Sequence, residues 1–104
     1  MLVTVKSREI QRGMLAEARG DATEAARHFK AAAHLELVLA DDYRRAGDNE
    51  PAFRSQISAA SCLWRAEESE QARTVLDSLC KQFPDRADAA RLVLSELQSG
   101  PNNR

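Results

Sequence analysis

The sequence predicts an all-α protein, with antiparallel helical hairpins stacked as a short array of about five helices. Three observations lead there. The chain holds only four Gly and three Pro, and its 43% apolar share leans on Ala and Leu, which favour helix. The pairs Gly20-Asp21 and Gly47-Asp48 each join a helix stop directly to a helix start. No segment sustains the alternation of apolar and polar residues that a half-buried strand requires.

The elements follow in order. Helix one is expected from about Val5 to Arg19, with Val3, Ile10, Met14 and Ala18 on one face as a buried stripe. Gly20 can take the left-handed conformation that ends it. Asp21 caps helix two, and Glu24 three residues later completes the spacing of a capping box. Helix two runs to Arg45 or Ala46, about 24 residues or roughly 36 Å. Its inner side is Ala25, Phe29, Ala32, Ala33, Leu37, Ala40 and Tyr43. Asp48-Asn49-Glu50-Pro51 starts helix three, which carries Phe53, Ile57, Ala60 and Trp64 in a row, with Trp64 expected in the core. Ser69 caps helix four, lined by Ala72, Leu76, Leu79 and Phe83 and closed by Pro84. Asp85 and Asp88 start helix five, which runs through Leu97 and buries Ala89, Val93 and Leu97 or their neighbours. Residues 1–100 read as one helical domain, and 101–104 as a flexible tail beyond Gly100-Pro101.

The spacing of Gly13, Gly20, Ala25, Phe29 and Ala32 resembles the tetratricopeptide repeat, a helix–turn–helix unit. A second copy is readable 47 residues on, as Ala60, Glu67, Ala72, Leu76 and Leu79, closed by Pro84. That copy has Glu67 where the family places its turn glycine. Glu9 and Arg12 stand where the family prefers large apolar residues, and Leu37 replaces the first closing proline. The resemblance implies stacked hairpins that hold another protein in a groove lined by helices one and three. Ser7 to Glu68 also resembles the three-helix microtubule-interacting-and-transport domain, which has a long second helix and binds helical peptides.

Composition narrows the function. Fifteen basic and sixteen acidic residues leave a net charge of −1, which gives no general attraction to nucleic acid or to an acidic membrane. No apolar run approaches the length of a membrane span, and Met1 to Lys6 lack the apolar core of a secretory signal. The expected location is therefore cytoplasmic. Cys62 and Cys80 lie about two helical turns apart across their hairpin and are expected as free core thiols.

No catalytic residue, cofactor or metal site is expected. His28 and His34 are six apart on one helix, so they point about 240° from each other and cannot share a metal. Ser55, Ser58 and Ser61 lack a nucleophile elbow and suit a helix–helix contact face. Glu17 and Glu36 are single carboxylates expected in solvent. The candidate binding residues lie on helix one. Arg8, Arg12 and Arg19 form a charged strip suited to an acidic peptide. Ile10, Met14 and Ala18 are either an exposed groove face or, with the helix rolled, core. The chain is thus expected to be an adaptor for a partner protein or peptide, or else a self-associating scaffold, that is, a homo-oligomer or the subunit of a larger assembly.

Overall fold

Three turns of one kind organise the chain, described over residues 2–100 of a computed structural model. In each, the residue that leaves a helix has a positive φ: Gly20 at 77°, Gly47 at 80° and Glu67 at 63°. The next backbone N–H then reaches back five residues, from Asp21 to Ala16 (2.9 Å), Asp48 to Tyr43 (2.8 Å) and Glu68 to Leu63 (2.8 Å). This is the Schellman closure, which satisfies carbonyls that the helix end leaves unpaired. Glu67 therefore performs the turn of a glycine and carries the left-handed strain of a residue with a Cβ.

These turns separate α1 (Leu2–Ala18), α2 (Ala22–Arg45), α3 (Asn49–Arg65) and α4 (Ser69–Gln82). A 3-10 turn, Pro84–Arg86, leads into α5 (Ala87–Ser99). Among the described residues there is no strand, and the all-α expectation holds. Helix α1 begins at Leu2, three residues before the expected start. Ser69 is the first residue of α4, and its cap position is Glu68. The Asp85 start of the last helix is replaced by the 3-10 turn, and no side chain caps α5. Asp21 does cap α2, accepting from the Glu24 N–H at 3.1 Å. The carboxylate of Glu24 does not return the bond. It is held by Arg27, foremost, and by His28, which together keep it below the usual carboxylate range. The tail expected at 101–104 lies outside the described residues.

Helix α2 is the centre of the molecule, with α1 and α3 packed against it, α4 against α3, and α5 against α4. Alanine makes this possible. Ala16, Ala25, Ala32, Ala33, Ala59, Ala60, Ala72 and Ala90 are all buried, so the helices approach closely around Phe29, Leu63 and Leu79. The 47-residue spacing reappears in space. Gly13, Ala16, Ala25, Phe29 and Ala32 are buried, as are Ala60, Leu63, Ala72, Leu76 and Leu79. Two expectations need correction. Trp64 is only half-buried, its ring face 5.7 Å from the Arg73 guanidinium. The aromatic weight on that side rests instead on Phe53, edge-to-face with Phe83 at 5.6 Å. In α5 the inward residues are Ala87 and Ala90 with Val93, Leu94 and Leu97, whereas Ala89 faces solvent.

Candidate functional site

Helix α1 fully buries only Gly13 and Ala16. A Cβ on Gly13 would come within 2.9 Å of the Phe29 ring, so the backbone of α1 lies directly on that aromatic. This close seat decides how the helix is rolled. Met14 is 50% exposed and Ala18 is exposed, while Ile10 is half-buried against the core. The expected buried stripe is therefore corrected. Its large residues flank the contact, because at Gly13 the Phe29 ring leaves no room even for a Cβ.

Val3, Ile10 and Met14 fall within about 40° on α1, with Glu17 about 20° further round toward the buried side. That flank turns toward α3. Val3 shares a cleft with Arg54 and Ser58 of α3, and Glu17 accepts from Arg65 at 2.7 Å. Ile10 and Met14 thus stand on the α3 side of α1. The arginines do not join them. Arg8, Arg12 and Arg19 are exposed about 120–160° away from Met14, on the opposite flank, where Arg12 lies 3.5 Å from Glu9. The cations that do border the α1–α3 side are Lys6, Arg54 and Arg65.

At the N-terminal end of this face is a cleft of about 300 Å³, lined by Lys6 of α1, Glu36 and Tyr43 of α2, and Arg54, Ser55 and Ser58 of α3. Glu36, expected in solvent, is only 2% exposed. Its Oε2 is 3.5 Å from Lys6 Nζ, and its buried Oε1 has no hydrogen-bond partner. Helical periodicity alone does not pick out this pair, since a lone Glu in a charged helix reads as solvated. The 47-residue spacing does, because Lys6 and Glu36 occupy the places of Phe53 and Phe83 in the second hairpin.

Two other buried polar atoms, Gln56 Oε1 and Arg65 Nε, likewise lack a hydrogen-bond partner. His28 stands between two carboxylates, with Nδ1 2.7 Å from Glu9 and Nε2 3.0 Å from Glu24. Both contacts are donated together only by the doubly protonated ring. His34 is exposed. Cys62 and Cys80 are free thiols. Burial, reinforced by the nearby Glu36 charge, pushes the Cys62 thiol up to about 11, so it is a poor nucleophile at neutral pH. Ser55 is buried and Ser58 and Ser61 half-buried, as a contact face requires. Among the described residues, no helix is long and apolar enough to cross a membrane. Compared with protein-family models, curated proteins and solved structures, the chain finds no match.

Proposed function

We propose that the chain is a tetratricopeptide-like interaction module that docks a peptide or helix of a partner protein along the face lined by α1 and α3. The observation that carries this reading is the pairing of Gly13 and Met14. Gly13 lies against Phe29 at the position where the repeat uses a small residue, and this leaves Met14, next to it, half-exposed on the α3 side. The three Schellman turns and the shared burial of positions 47 apart support a repeat architecture. Unbranched, polarisable methionine suits a surface that adapts to a helical ligand.

Met14→Glu tests the reading. A charge at a half-exposed position does not enter the core, so the variant is expected to keep its circular dichroism spectrum and its melting temperature within a few degrees. Proteins captured by photo-crosslinking from Ile10 should disappear with it. A folded Met14→Glu protein that captures the same set at full yield removes this face from the function. Light scattering on the wild type distinguishes the scaffold reading, in which the same face is covered by a second copy and Met14→Glu yields a monomer.

A further inference from the structure

Helix α1 is held to the other helices by little. Gly13 and Ala16 are its only fully buried residues, and Val3, Val5, Met14 and Leu15 are exposed. Among the described residues, its side-chain polar links to other helices are Lys6 to Glu36, Glu17 to Arg65 and Glu9 to His28. Of the residue types in these pairs, only histidine ordinarily changes its charge near neutral pH. The His28 side chain is 17% exposed, with Nδ1 2.7 Å from Glu9 Oε2 on α1 and Nε2 3.0 Å from Glu24 Oε2 on its own helix. An ionised carboxylate only accepts, so a ring that meets both must donate from both nitrogens and is then positively charged.

The charged groups around the ring are Glu9 and Arg12 of α1 and Glu24 and Arg27 of α2. Arg12 lies 3.5 Å from the other oxygen of Glu9, and Arg27 contacts both oxygens of Glu24, at 3.0 and 2.7 Å. No hydrogen bond or ion pair joins the ring to α3, α4 or α5 among the described residues. Loss of one proton upsets this arrangement, because either neutral tautomer aims a lone pair at a carboxylate oxygen. With the proton left on Nε2, the bond to α1 is gone. With the proton left on Nδ1, that bond survives from a neutral donor and loses the attraction between opposite charges. We infer that His28 is a proton-dependent latch between α1 and α2, which seats α1 firmly while the ring is doubly protonated and lets it open more readily as pH rises. The stabilisation is thus present on the acid side of the histidine range and lost on passing through it. This goes beyond the docking reading, since it concerns how α1 is held and not what it holds.

The test is amide hydrogen exchange of the whole chain at about pH 5.5 and about pH 8, with each rate divided by the intrinsic rate of that amide. Protection of α1 relative to α3 should fall by about fivefold or more at the higher pH, the worth of one hydrogen bond. His28→Gln should abolish this difference, and His34→Gln, which alters an exposed histidine of the same helix, should keep it. Should His28→Gln fail to fold, Glu9→Gln, which removes the α1 acceptor charge, takes its place and should likewise abolish the difference. Equal relative protection at both pH values in the wild type, a difference that persists in the folded latch variant, or one that vanishes in His34→Gln overturns the inference. Met14→Glu should leave the pH dependence unchanged, so loss of partner capture in that variant and loss of the pH dependence in His28→Gln report on separate claims.

Discussion

Gly13→Ala sets two opposing effects against each other at one atom. In the middle of a helix, Ala is favoured over Gly by about 1 kcal/mol. At this position the new Cβ would lie 2.9 Å from two carbons of Phe29, against the 3.5–4.0 Å at which carbon atoms normally rest. The ring cannot simply retreat. It has no exposed surface, and Arg65, tied to Glu17 at 2.7 Å, lies with its guanidinium 4.3 Å from the ring centroid. Overpacking of this kind costs about 1–3 kcal/mol, so the steric effect wins by about 1 kcal/mol. Differential scanning calorimetry should show a melting temperature lower by about 4–8 °C. The decisive measurement is the same substitution in a Phe29→Leu background, where the smaller side chain frees the space. There Gly13→Ala should become neutral or stabilising, and the two sites should couple by more than about 1 kcal/mol. A rise in melting temperature in the wild-type background, or equal effects in both, would show that α1 does not rest on Phe29.

Two further substitutions probe the turns and the buried thiol. Glu67→Gly should stabilise the protein by about 0.5–1 kcal/mol in urea unfolding, because it removes left-handed strain that Gly20 and Gly47 do not carry. Gly20→Ala, where a Cβ meets open space, should destabilise by a similar amount through φ alone, and a destabilised Glu67→Gly would refute this account of the turns. Cys62 has its folded value raised to about 11 from a usual 9.0, so the folded state favours the neutral thiol. Its contribution is complete below about pH 9 and is lost as pH rises toward 11, on the order of 2–3 kcal/mol. Cys62→Ala should flatten the alkaline loss of stability over that window, and an unchanged pH profile would count against the thiol as its source.

Helix positions were legible because their signals are local. Gly20, Gly47 and Asp21 act through their own backbone and the residues beside them, so each turn could be placed from a few letters. The Glu67 turn was readable only by matching it to Gly20 across the 47-residue spacing, since Glu is no turn residue by itself. Less legible was how α1 is rolled. An apolar stripe of Val3, Ile10, Met14 and Ala18 satisfies the helical period as well as any core face does. What overrides the period is a tertiary fact, the close approach of α1 to Phe29, which gives the contact to Gly13 and Ala16. Trp64 went the same way. Its size and spacing suggest core, but the aromatic contact between α3 and the end of α4 is made by Phe53 and Phe83, and Trp64 is left half-exposed beside Arg73.

The candidate site follows a different rule. Arg8, Arg12 and Arg19 stand out in the sequence because they are clustered, and clustering is what a solvated helix face also produces. Their position on the far flank of α1 shows how little such a strip says about a docking face. Lys6 and Glu36 are conspicuous only when the two hairpins are superposed. One hairpin then has Phe53 and Phe83 where the other has an ammonium and a carboxylate. A fold that packs this place with aromatic rings in one copy has no structural need of charge in the other. The burial of Glu36 with one oxygen unmet makes the exchange costly as well as unnecessary to the hairpin. These departures from the internal repeat set the first hairpin apart from the second, because there they raise the cost of folding.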